Sequence, residues 1–124
     1  MEAMKILGTD DTPGVILDVD NNHFEISGRS LPEDVSSFYN PVLNWLDEYA
    51  ESPKPKTEFV FKLTYFNTAS SKVLLDVLMK LEDIHNAGNE VLVKWYAPED
   101  DEDMQEAGEE YADIVDVTFE QISY

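Results

Sequence analysis

Residues 58–72 read Glu58-Phe59-Val60-Phe61-Lys62-Leu63-Thr64-Tyr65-Phe66-Asn67-Thr68-Ala69-Ser70-Ser71-Lys72, and the organisation of the chain follows from them. Phe59, Phe61, Leu63 and Tyr65 alternate with Val60, Lys62, Thr64 and Phe66. A period of two predicts a strand. Apolar residues on both sides of it predict a central strand covered on both faces. Asn67 and Thr68 follow at once, and both are good helix N-caps, worth about 1 kcal/mol. Val73, Leu74, Val77, Leu78, Leu81 and Ile84 then recur at three and four, so the strand feeds straight into a helix. Gly88 fits the position just past its end.

The same reading extends in both directions. Downstream, Val91 to Tyr96 predicts another strand, the acidic stretch after it a third helix with Met104, Ala107 and Tyr111 inward, and Val115, Val117 and Phe119 a last strand. Upstream, Met4–Leu7 predicts a short first strand and 14–27 a hairpin whose turn, Asp20-Asn21-Asn22, tolerates positive φ. Ser30 and Glu33 have capping-box spacing, with Pro32 between them, and predict a helix start there. Val35, Phe38, Tyr39, Val42, Leu43, Leu46 and Tyr49 continue it, with Pro41 expected to kink the helix or to restart it on Asn40. The order is β-β-β-α-β-α-β-α-β, an α/β fold with a mixed, partly parallel sheet and about three helices. Nothing divides the chain, so 1–124 is expected to form a single domain.

Composition narrows the function. With no cysteine, thiol chemistry, disulfides and cysteine-ligated zinc are excluded. No signal peptide or membrane-spanning run is legible, which predicts a cytoplasmic protein. The net charge of −19 disfavours nucleic acid and anionic membranes as partners. Between residues 99 and 113, Glu99, Asp100, Asp101, Glu102, Asp103, Glu106, Glu109, Glu110 and Asp113 stand without a base. That run reads either as a solvated helix whose first carboxylates suit the dipole or as a docking face for a basic partner. It lacks the calcium-loop pattern, and no metal or cofactor is expected. His23 and His85 lie in no catalytic motif, and the five glycines are scattered singly, so no phosphate-cradling loop forms. Trp45 and Trp95 read as packing residues, although Lys94-Trp95-Tyr96 or Trp45 could also form a binding rim. The chain is expected to bind other proteins and to catalyse nothing.

The junction Tyr65–Lys72 is the informative site. A helix start carries unpaired N–H groups and the positive end of the dipole. A phosphate on Thr68 would sit beside them and add roughly −1.5 to −2 charges. The plainer reading leaves Asn67 and Thr68 as ordinary caps.

Gly28-Arg29-Ser30-x-Pro32-Glu33, Tyr65-Phe66-Asn67-Thr68-x-Ser70-Ser71-Lys72, and Trp95-Tyr96 followed by the acidic segment resemble the SiaC family of bacterial regulatory phosphoproteins, over about Thr9 to Phe119. The resemblance implies a fold like the STAS domains of anti-sigma-factor antagonists. It implies that Thr68 is phosphorylated by a dedicated serine/threonine kinase and dephosphorylated by a PP2C-type phosphatase. It further implies that the unmodified form binds and activates a diguanylate cyclase, raising cyclic di-GMP and promoting biofilm formation. Ala69 stands where relatives often carry serine, leaving Thr68, Ser70 and Ser71 as hydroxyls. Asn67, Ser70, Ser71 and Lys72 are expected to form the switch surface around Thr68, with Lys72 balancing the added charge. Glu99, Asp100, Asp101, Glu102, Asp103 and Glu106 are expected as partner-docking residues. The alternatives are a constitutive acidic adaptor that docks a basic partner through 99–113, and a metal-dependent hydrolase.

Overall fold

The computed structural model describes residues 1–124. The elements are β1 (Met4–Ile6), β2 (Gly14–Asp18), β3 (His23–Ser30), α1 (Val35–Glu51), β4 (Lys56–Phe66), α2 (Thr68–Asn86), β5 (Glu90–Ala97), α3 (Glu102–Ile114) and β6 (Thr118–Ser123). Their order is the expected one. The six strands lie in the sheet in sequence order, β1-β2-β3-β4-β5-β6. The first two pairings are antiparallel and the other three parallel. The β2–β3 turn closes with Asn22 at φ 51°, its N–H on the Val19 carbonyl at 3.1 Å.

Sequential order has a consequence for the layers. Each parallel crossover moves one strand along in the same direction, and right-handed crossovers then place α1, α2 and α3 on the same face. The structure therefore corrects the expectation that β4 is covered on both sides. Thr57, Phe59, Phe61 and Leu63 are buried beneath the helices, whereas Lys62 and Thr64 are exposed on the bare face. One continuous core holds Phe24, Phe59, Phe61 and Trp95 of the sheet with Tyr39, Trp45, Leu46 and Tyr49 of α1, Leu74, Leu78 and Leu81 of α2, and Met104 and Tyr111 of α3. Both tryptophans are buried in it, as their packing reading predicts.

A bulge changes the end of β4. Gly28 of β3 pairs with Leu63, but Arg29 pairs with Tyr65, so Thr64 is the extra residue. One additional residue reverses the alternation beyond it. Tyr65, expected on the same face as Leu63, is 47% exposed. Phe66 turns instead toward the helices and meets the Trp95 ring edge-on at 6.3 Å. Gly28 itself sits at φ 91°, where a side chain would be strained.

Three boundaries differ from the sequence reading. Ser30 does not cap α1; it ends β3 and is fully buried. The cap is Asp34, whose carboxylate accepts from the Ser37 N–H at 3.1 Å and the Ser37 hydroxyl at 2.9 Å. Those bonds hold its pKa below the ordinary carboxylate value. α1 runs unbroken through Pro41, without a restart at Asn40. Its buried face continues on both sides of the proline, from Tyr39 to Tyr49, and offsets the lost hydrogen bond. The last strand begins at Thr118, after Val115 has been used to close α3 in the core.

Candidate functional site

The strand-to-helix junction lies at the carboxyl end of the parallel strands, where open α/β sheets usually place their function. Asn67 is the N-cap of α2, and its side-chain oxygen accepts from the Ser70 N–H at 2.8 Å. The Ser71 N–H reaches the Asn67 carbonyl at 2.9 Å. The N–H groups of Thr68 and Ala69 have no acceptor within the chain. Thr68 is the first residue of α2 and is exposed, so its hydroxyl stands beside unpaired donors at the positive end of the helix.

The other hydroxyls of the motif are engaged. Ser70 is fully buried, which removes it from the switch surface. Its hydroxyl donates to the Ser30 carbonyl at 2.9 Å and accepts from the Ser30 hydroxyl at 2.9 Å. Ser30 has only one proton, so the 2.6 Å contact between Ser30 and Tyr39 must be a donation from Tyr39. The hydroxyl chain Tyr39–Ser30–Ser70 thus ties α1, β3 and α2 together beneath Thr68. Burial pushes the Tyr39 pKa up to about 12. The Ser71 hydroxyl is spent on the Thr68 carbonyl at 2.6 Å. From the other side, the Tyr111 hydroxyl of α3 donates to the Ser71 carbonyl at 2.7 Å. Burial raises its pKa well above the ordinary tyrosine value, with the nearby Glu110 charge adding to the effect. Lys72, one turn after Thr68, is exposed and in no ion pair.

The acidic segment is not a separate patch. Asp101 caps α3 by accepting from the Met104 N–H at 3.0 Å, and Glu102 and Asp103 occupy the first turn. Glu99, Asp100 and Glu106 are exposed. Asp101 and Asp103 border a cleft of about 450 Å³ with Thr64, Tyr65, Phe66, Met104 and Ala107. The sequence reading kept this run and the junction apart; the fold brings them together. It also adds Tyr39, Tyr111 and Ser30 to the site. Only Ser30 carried a legible signal, its place beside Gly28 and Arg29, and its capping spacing pointed to a different role. No group of three or more His, Asp or Glu side chains is placed to hold a metal, and no helix is long and apolar enough to cross a membrane.

Fold and junction define a class of protein: a one-sided mixed α/β domain that presents a single free threonine hydroxyl where its central strand enters a helix. Comparison with known proteins makes this specific. The chain belongs to the SiaC family of regulatory phosphoproteins, whose family model matches residues 6–124. The structure is similar to that of SiaC of Pseudomonas aeruginosa, with a TM-score of 0.91 and 26% identity over 100% of both chains. It is equally similar to SiaC in the crystal structure of the diguanylate cyclase SiaD in complex with its activator SiaC, from the same organism. There the TM-score is 0.90 and the identity 26%, over 98% of this chain and 99% of that one. An uncharacterized protein of Pseudomonas aeruginosa strain UCBPP-PA14 is 29% identical over 111 residues, 90% of this chain and 88% of that protein.

Proposed function

We propose that the protein is a non-enzymatic, phosphorylation-controlled binding switch: its unmodified form binds and activates a diguanylate cyclase, and phosphorylation of Thr68 releases that partner. A serine/threonine kinase adds the phosphate and a PP2C-type phosphatase removes it, both acting in the cytoplasm. Cyclic di-GMP and biofilm formation follow the unmodified fraction.

The observation that carries this reading is the selectivity built into the junction. Of its three serine and threonine hydroxyls, Ser70 is buried and hydrogen-bonded, Ser71 is spent on a carbonyl, and Thr68 alone is exposed without a partner. Family membership and the cyclase bound by SiaC of Pseudomonas aeruginosa support the choice of output.

Two measurements test it. Incubation with the cognate kinase and ATP, followed by mass spectrometry, should find one phosphate, on Thr68; modification elsewhere with Thr68 untouched overturns the assignment. Thr68→Ala should activate the cyclase as the unmodified protein does, and Thr68→Asp should activate it poorly. Equal activation by both variants would return the reading to a constitutive adaptor that uses the acidic helix.

A further inference from the structure

β6 is an open edge of the sheet, and nothing guards it. Proteins blunt such edges with very short strands, with bulges, or with Pro or Lys in the row. The opposite edge, β1, is three residues long. β6 runs for six, Thr118-Phe119-Glu120-Gln121-Ile122-Ser123, with no Pro, Gly or Lys, and its register against β5 is unbroken. The phase of that pairing fixes which backbone groups are free. In a parallel ladder, alternate residues turn both N–H and C=O toward the neighbouring strand. Tyr124 does so: its N–H reaches the Ala97 carbonyl at 3.1 Å, and its carbonyl accepts from the Glu99 N–H at 2.7 Å. Glu120 and Ile122 share its phase. Phe119, Gln121 and Ser123 therefore turn their N–H and C=O groups outward, where no strand follows.

The flanks of the edge specify what pairs with it. On the helix side, Gln105 and Glu109 of α3 line a cleft of about 180 Å³ with Gln121 and Ser123, completed by Ala97 and Ile122. Gln105 is committed to the Pro98 and Glu99 carbonyls, both at 3.0 Å. Glu109 is exposed and in no ion pair, on a helix with six carboxylates and no base. On the bare face, Ile122 lies beside Tyr96, whose ring is 6.3 Å from that of Tyr124. A strand laid along β6 would present alternate side chains to a carboxylate-bearing cleft and to an apolar row.

We infer that the β6 edge is a β-augmentation site for an extended segment of a partner protein, which adds as a seventh strand. Its main chain bonds to Phe119, Gln121 and Ser123, and its side chains supply the specificity. They alternate, lysine or arginine toward Glu109 and aliphatic toward Ile122 and Tyr124. A second copy of this chain fits poorly. Two such edges would set two Glu120 carboxylates and two acidic α3 helices close together, in chains of net charge −19 each. The edge lies two strands along the sheet from β4 and its junction, so the inference goes beyond the Thr68 switch and does not rest on it.

The test uses the whole protein and three synthetic eight-residue peptides with blocked ends: one alternating lysine and valine, one with glutamate in place of lysine, and the lysine peptide with its backbone N–H groups methylated. The lysine peptide should bind at least tenfold more tightly than either control. The methylated control keeps the charge, so it separates strand pairing from general attraction to an acidic protein. In hydrogen exchange followed by NMR, the amides of Phe119, Gln121 and Ser123 should gain the most protection, in alternation with Glu120 and Ile122. Gln121→Pro removes an outward N–H and none of the bonds to β5, so it should keep its circular dichroism spectrum and weaken the lysine peptide at least tenfold. Glu109→Lys, at an exposed position, gives an independent check and should weaken that peptide at least threefold. Equal binding of the three peptides, protection centred away from β6, full binding by either variant, or no binding would each overturn the site, and a Gln121→Pro variant that unfolds would refute the assigned phase. A dimer of the free protein that protects the same three amides would give the edge to a second copy and overturn the partner segment.

Discussion

The buried hydroxyl chain beneath Thr68 makes an asymmetric prediction. Ser30→Ala removes the acceptor of the Tyr39 hydroxyl and leaves that hydroxyl buried without a partner. An orphaned buried donor costs about 1–3 kcal/mol, and the lost bond about 1 kcal/mol more. Ser70 is spared, because the carbonyl it donates to belongs to the backbone of residue 30 and survives the substitution. Tyr39→Phe is milder. It deletes the donor, while Ser30 still donates to Ser70, so nothing is orphaned and the cost is about 1 kcal/mol. The double variant has no stranded hydroxyl. It should therefore cost about 1–2 kcal/mol less than the sum of the two single changes, the signature of a shared bond. Urea unfolding followed by tryptophan fluorescence measures all four proteins, with both tryptophans in the core. Equal costs for the two single variants, adding to within about 0.3 kcal/mol, would refute the donor order assigned here.

Three further outcomes are expected. Gly108→Ala should lower stability by about 1–3 kcal/mol, because a Cβ there would meet the buried Trp95 ring at 2.5 Å; an unchanged thermal midpoint would contradict this. Thr68→Asp should stabilise the fold by up to about 1 kcal/mol at low salt, through the α2 dipole, and the gain should fade as salt is raised in a melting series. The folded state holds the Tyr39 proton where the unfolded chain releases it, so stability should fall as pH rises from 10 to about 12. Tyr39→Phe should flatten that fall in alkaline unfolding curves, leaving only the share that comes from Tyr111.

Periodicity made the elements legible, and the error in each misread place has a physical cause. Alternation in 59–65 and three-four spacing in 73–84 and 35–49 gave β4, α2 and α1, and the shorter patterns on either side gave the other six elements in order. The same alternation misassigned Tyr65 and Phe66, because a bulge is a property of two paired strands and only one of them was being read. Covering both faces of β4 was inferred from Val60 and Phe66. Val60 is a half-buried residue of the bare face, and Phe66 had changed sides. Ser30 has a cap's spacing to Glu33, but its neighbours in space are Tyr39 and Ser70, nine and forty residues away. At the site, Thr68 and the Asn67 cap could be read from local helix chemistry. The burial of Ser70 and the approach of Asp101 and Asp103 to Phe66 are products of the crossovers and have no local trace.

The anchoring of the α2 start has a mechanical corollary. Residue 66 ends a strand that is still paired with β3 at Ser30, and the next five residues are held by Asn67, by Ser30 from below and by Tyr111 from the flank. The backbone at 68 has nowhere to go when its side chain is altered. A signal written there changes the texture and charge of a stiff surface, in the manner of a key cut rather than a spring released, and the marked and unmarked proteins should superimpose.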